Sequence, residues 1–132
     1  MTTGDLFGCA RCFLATAEEA EEARRHFSEL SRLIDESHFI VRILACPDCG
    51  QRCVSVFTEW IDWSEGDDAQ YWSVLPLTRE ESEQLMAQGE QVDLRLIEAL
   101  GRRRRYLQVD FPTGKPKRVL WADGNLWIGP HD

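Results

Sequence analysis

Two Cys-x-x-Cys pairs, Cys9/Cys12 and Cys46/Cys49, constrain this chain more than any other feature. The fold must either bring them together across the 33 residues that separate them or leave four thiols without a task. A fifth cysteine, Cys53, makes the count odd, and an odd set in a reducing compartment favours metal ligation over disulfides. Each Cys-x-x-Cys turn points two thiolates at one ion, and two turns complete the four tetrahedral ligands that zinc prefers. Four thiolates leave no coordination position for water, so the expected zinc is a structural clamp. Cys53 and His38 are possible substitute ligands, with core packing as their alternative fate.

The segments around the cysteines read as an α+β fold. Thr16 and Glu19 have the spacing of a capping box, and Ala20, Ala23, Phe27, Leu30 and Ile34 recur in steps of three and four, which predicts an amphipathic N-terminal helix from Ala17 to about Glu36. His38 to Leu44 and Cys53 to Trp60 read as strands joined by the second cysteine turn, with Val54, Val56, Thr58 and Trp60 on one face. Tyr71 to Leu77 reads as a third strand, with Pro76 marking an edge or a strand end. A second capping box, Thr78 with Glu81, opens a short helix that Gly89 stops. Val92 to Leu100 reads as a helix, with a strand as the alternative, and Tyr106 to Phe111 as a strand. Val119–Trp121 and Leu126–Ile128 flank an Asp-Gly turn and predict a hairpin. The sum is a single domain, 1–132, with a mainly antiparallel sheet and a split Cys-x-x-Cys site. Its zinc-ribbon-like part spans about 6–60 and the α+β remainder about 61–132.

Cys46-Pro47-Asp48-Cys49-Gly50 resembles a zinc-ribbon knuckle, including the glycine after the second cysteine, whereas Cys9-Ala10-Arg11-Cys12-Phe13 lacks that glycine. The run Cys46-Pro47-Asp48-Cys49-Gly50-Gln51, together with Thr58-Glu59-Trp60-Ile61-Asp62-Trp63 and Asp67-Asp68-Ala69-Gln70-Tyr71-Trp72, resembles small bacterial zinc-ribbon proteins. In size, acidity and lack of catalytic motifs the chain is also similar in style to bacterial toxin-immunity proteins. That resemblance implies a non-enzymatic inhibitor that covers a basic toxin or effector.

Charge gives the implied surface a location. The chain carries 23 acidic and 15 basic side chains, a net charge of -8, which opposes broad charge-driven binding to nucleic acid. Between Val54 and Leu75 there are five carboxylates, Glu59, Asp62, Glu65, Asp67 and Asp68, and no Lys or Arg. Trp60, Trp63, Tyr71 and Trp72 lie among them. Aromatic anchors in an acidic rim suit a basic protein partner, so Glu59, Asp62, Trp63, Asp67 and Asp68 are the candidate partner-binding residues. The helix-face acids Glu18, Glu22 and Glu29 form a competing surface. The opposite pole, Arg102, Arg103, Arg104 and Arg105 with Lys115, Lys117 and Arg118, supports the alternative of a nucleic-acid-associated zinc-ribbon factor.

Catalytic patterns are absent from the sequence: no His/Glu pair has metalloprotease spacing, and there is no P-loop, GxSxG or GxGxxG. No enzyme activity is expected. No apolar run approaches the roughly 20 residues of a spanning helix, and Met1-Thr2-Thr3-Gly4-Asp5 lacks the basic start of an export signal, so the expected location is cytoplasmic, with no membrane partner.

Overall fold

A computed structural model describes residues 7–60, 68–112, 116–124 and 126–128. The fold is α+β. Six strands, β1 (Ser28–Glu36), β2 (Phe39–Ala45), β3 (Arg52–Trp60), β4 (Ala69–Leu77), β5 (Arg105–Phe111) and β6 (Arg118–Asp123), form one antiparallel sheet in chain order. Helix α1 (Ala17–Arg24) lies on one face, and α2 (Arg79–Gln88) and α3 (Leu94–Gly101) belong to the other. The β3–β4 ladder pairs nine residue couples from Arg52↔Leu77 to Trp60↔Ala69, so the N-terminal and C-terminal portions share one sheet.

Alternation along the strands sorts side chains into two cores. Val41, Ile43, Val54, Val56, Leu75 and Leu77 face the helices α2 and α3, where Leu85 and Ile97 are fully buried. Leu44, Cys53, Val74, Leu107 and Val109 face the N-terminal lobe, which contributes Cys12, Phe13, Ala17 and Ala20. The first core is built mostly from large aliphatic side chains. The second receives buried Phe13, Ala17 and Ala20 from the lobe, with Phe7 and Phe27 partly buried against it.

The predicted N-terminal helix is corrected in its second half. Thr16 accepts from the Glu19 N–H and Glu19 bonds back to Thr16 N–H, so the capping box forms, and Arg25 reaches Glu21 at 3.2 Å as the helical spacing expects. The helix nevertheless ends at Arg24, and Ser28–Glu36 is the edge strand β1. Leu30, on the expected helical stripe, is 42% exposed, whereas Leu33, off that stripe, is buried at 3%. Pairing with β2 decides the outcome: that strand is rich in Ile and Val, and β1 satisfies its outer row of backbone groups, a tertiary gain that outweighs helix propensity.

Pro76 lies at a strand end but not on an edge strand. β4 is interior, and its pairing with β5 covers Gln70 to Val74, so the missing N–H falls past the last rung. The C-terminal hairpin is also corrected. Gly124 takes φ +77°, as an Asp-Gly turn requires, yet Leu126–Ile128 is not a strand. Leu126 is buried against Gly101, a position where any Cβ would collide with it, and Ile128 N–H donates to Glu98 at 2.9 Å. β6 pairs with β5 instead.

Helix α2 is tied to the sheet side by a carboxylate–guanidinium contact. Arg104 donates to both oxygens of Glu81 at 2.8 and 3.0 Å and to the Pro76 carbonyl at 2.8 Å, while Glu81 also accepts the Thr78 N–H of its capping box. Burial alone would push the Glu81 carboxyl up, but the Arg104 and Thr78 hydrogen bonds outweigh it and hold the group below its ordinary value. Stability from a depressed carboxylate is fully present above the unfolded value of about 4.3 and is lost as pH falls through the folded one. Arg104→Ala is therefore expected to cost about 2 kcal/mol at neutral pH, by leaving Glu81 and the Pro76 carbonyl short of partners. Urea midpoints measured from pH 7 down to pH 3 should converge for variant and parent at the acid end; a constant offset would assign the loss to packing.

Candidate metal centre

The second cysteine pair sits where β2 turns into β3. Gly50, at φ +78°, lets the chain close on itself: its N–H donates to the Cys46 carbonyl at 2.8 Å, and Cys46 N–H donates to the Gln51 carbonyl at 2.9 Å. The first pair lies in the lobe before α1, where Cys12 and Leu14 N–H groups both donate to the Cys9 carbonyl at 3.1 Å. Positive φ here comes from Gly8, ahead of Cys9, at +79°. A Cβ on Gly8 would lie 2.6 Å from Cys12 Sγ and 2.9 Å from the Phe13 backbone nitrogen.

These two turns bring Cys9, Cys12, Cys46 and Cys49 together, with their ligand atoms all within 4.8 Å of one another. Cys9 and Cys12 Sγ are 3.6 Å apart and Cys12 and Cys49 Sγ 3.8 Å apart. A tetrahedral ion with metal–sulfur bonds of about 2.3 Å requires sulfur–sulfur edges of about 3.8 Å. The four cysteines predicted from spacing thus form a candidate metal site, and the donor set fits a thiophilic ion. The thiols differ in environment. The Arg11 backbone N–H lowers the Cys9 pKa, whereas burial raises those of Cys12 and Cys49. A bound cation would supply the charge that favours all four thiolates.

Neither substitute ligand joins the cluster. Cys53 is on β3 beneath the lobe, completely buried among apolar neighbours, and burial raises its pKa. His38 stands at the far end of the sheet, where its Nδ1 meets Glu59 at 2.9 Å.

Gln51 was not singled out by sequence, yet it joins the two halves. Its side-chain oxygen accepts from Gly8 N–H at 2.9 Å, and its amide donates to the carbonyls of Leu77 and Arg52 at 2.7 and 2.8 Å. The signal available was its position directly after the knuckle glycine. Because its side chain bonds backbone groups of both halves rather than a cysteine sulfur, Gln51 is a positioning residue. Gln51→Leu should weaken metal binding by about tenfold in a chelator competition while far-UV circular dichroism stays unchanged; unaltered affinity would show that the turns hold their spacing without it.

Comparison of the chain with family models, with curated proteins and with solved structures finds no match. The site must be read from its own chemistry.

Of the candidate partner-binding residues, Glu59 and Asp68 lie at the end of the sheet opposite the cysteines. Glu59 is only 14% exposed and accepts from Gln70 at 2.7 Å as well as contacting His38; the Gln70 and His38 contacts hold its carboxyl below the ordinary range. Asp68 is half-buried, and Asp62, Trp63 and Asp67 lie outside the described residues. Trp60, not among the candidates, is 50% exposed at the end of β3. Behind it, on the opposite face, Trp72 packs against Phe57 at 4.7 Å and Phe111 at 5.7 Å between ring centres.

Four residues of the basic pole meet partners within the molecule. Arg104 is bound to Glu81; Arg105 stacks 4.2 Å over the Trp121 ring and donates to the Phe13 carbonyl. Lys117 reaches buried Glu21 at 2.8 Å, and Arg118 reaches buried Asp110 at 2.9 Å. Arg102 and Arg103 are exposed, and Lys115 lies outside the described residues. Of the competing helix-face acids, Glu18 and Glu22 remain on α1, while Glu29 has moved to β1 and pairs with Arg32 at 2.9 Å. Among the described residues no helix is long and apolar enough to cross a membrane.

Proposed function

We propose that this chain is a non-enzymatic protein-binding module of the immunity type, one that inhibits a basic toxin or effector by covering it, on a scaffold clamped by a structural zinc ion. The observation that carries the reading is Trp60. A large aromatic side chain half exposed at a strand end is costly to leave in water, and it immediately precedes the stretch that supplies Asp62, Trp63, Glu65 and Asp67. Aromatic anchors surrounded by carboxylates give a partner of positive charge fast association and slow release. The aromatic packing of Phe57, Trp72 and Phe111 gives that end of the sheet a firm base.

Zinc is the resident metal in this reading, because four soft thiolates within 4.8 Å of one another suit it, and a fully thiolate shell has no open position for hydrolytic chemistry. The nucleic-acid alternative has weaker support, since Arg104, Arg105, Lys117 and Arg118 are already committed within the molecule.

The decisive experiment captures partners from the native host and then co-expresses the captured protein with this chain. One stoichiometric basic protein whose toxicity is neutralised supports the reading. Co-purification of ribosomes, RNA polymerase or nucleic acid overturns it. Elemental analysis of the freshly purified protein should find about one zinc per chain.

A further inference from the structure

Between α1 and the two cysteine turns lies a groove of about 400 Å³, far from Trp60 and bordered by Cys46 of the metal centre. Its apolar lining comes from Ala23, Phe27 and Pro47, and its carboxylates from Glu19, Glu22 and Asp48. We propose that this groove docks a basic segment of a protein partner, taking an arginine or lysine side chain between the helix and the second cysteine turn. The inference rests on the reading that the partner is a basic protein, and adds a contact region that reading does not contain.

Shape and charge point to that occupant. Arginine and lysine carry an apolar stem and a cationic head, which match an apolar lining beside acidic groups. Among the described residues lining the groove, Glu19, Glu22 and Asp48 stand against Arg11 and His26, with Arg25 approaching Glu22 from the helix. The existing pairs are long and solvated. Asp48 meets Arg11 at 3.6 Å with side chains 46% and 78% exposed, and Glu22 meets His26 at 3.4 Å and Arg25 at 3.9 Å. Exposed pairs of this length hold their partners weakly, so an incoming guanidinium displaces them at little cost. Glu19 is fixed by its capping box with Thr16, which keeps a carboxylate at the helix N-terminus. Both walls are ordered before binding, one as a capped helix and the other as a turn closed by the Gly50 and Cys46 backbone hydrogen bonds, so little conformational freedom remains to be lost.

The test titrates isotope-labelled, zinc-loaded protein with a hexa-arginine peptide and, separately, with hexaglutamate, following backbone amide NMR shifts. Saturable shifts clustered at Ala10, Ala23, Phe27 and Asp48 are expected with hexa-arginine and not with hexaglutamate. Combining Glu22→Lys with Asp48→Asn should weaken the response at least tenfold while zinc content and thermal midpoint hold. Shifts confined to the Trp60–Ala69 end would overturn the groove and leave the protein-binding reading standing. No saturable shift anywhere, or an equal response to hexaglutamate, overturns the groove, and the capture experiment then judges the wider reading on its own.

Discussion

Treatment with a strong zinc chelator should release about one equivalent of metal and detach the N-terminal lobe from the sheet, with loss of the near-ultraviolet signal from Trp121. Besides the metal, the lobe is held by polar contacts such as Lys117–Glu21, Arg105 on the Phe13 carbonyl and Gln51 on Gly8 N–H, and by a modest apolar area. Phe13, Ala17 and Ala20 are its buried apolar contribution, worth about 4 kcal/mol, with Phe7 and Phe27 partly buried beside them, against the order of 10 kcal/mol that four thiolates gain on binding zinc. Trp121 reports the event because its indole N–H donates to the Ala15 carbonyl at 3.0 Å and its ring lies 6.0 Å from that of Phe13. The opposite core, with Leu75, Leu85 and Ile97 fully buried, does not touch the cysteines, so much of the far-ultraviolet signal should survive. Cys46→Ala should reproduce the chelated state, whereas Cys53→Ala should keep its metal. A chelated protein with an unchanged near-ultraviolet spectrum and thermal midpoint would defeat the clamp.

Gly8→Ala is expected to lower stability by about 2–5 kcal/mol and to weaken metal binding in parallel. Two costs combine. A non-glycine residue at φ +79° pays about 1–2 kcal/mol, and the added methyl must push against Cys12 Sγ at 2.6 Å and the Phe13 backbone at 2.9 Å, an overpacking penalty of about 1–3 kcal/mol. Gly50→Ala is the matched control: its φ is +78°, but nothing lies within 4 Å of its Cβ, so only the backbone penalty applies. Denaturant melts and chelator competition on the two variants separate strain from collision. Equal losses would mean that the contact with Cys12 relaxes freely.

Much of the site was legible because its chemistry is local. A Cys-x-x-Cys turn carries its ligand geometry within a few residues, and Gly50 in the second pair announced its own positive φ. The first pair was harder to read because its enabling glycine precedes the cysteines, and because Gln51 acts across 43 positions of sequence on Gly8. Capping boxes at Thr16 and Thr78 were equally legible, each being a contact between residues three apart. The stripe Phe27, Leu30, Ile34 misled for the opposite reason. A helical period in isolation does not reveal that β2 offers a row of unpaired backbone groups beside it, and Leu33 rather than Leu30 became the buried side chain. Leu126 and Ile128 misled in the same way, leaving the expected hairpin for α3 at Gly101 and Glu98.

By itself the sequence determined the four-cysteine set, the α+β class, the two helix starts and the acidic balance, since each follows from residue type and short spacing. Only the tertiary structure decided which thiol stayed out of the cluster, which half of the first helix became a strand, and what became of the basic pole. Those outcomes depend on partners distant in sequence: Cys53 was taken by the core, Ser28–Glu36 by the edge of β2, and Arg104, Lys117 and Arg118 by Glu81, Glu21 and Asp110. Arg104, Lys117 and Arg118, part of a patch in one dimension, were paired in three, because burying a carboxylate requires bringing a cation to it.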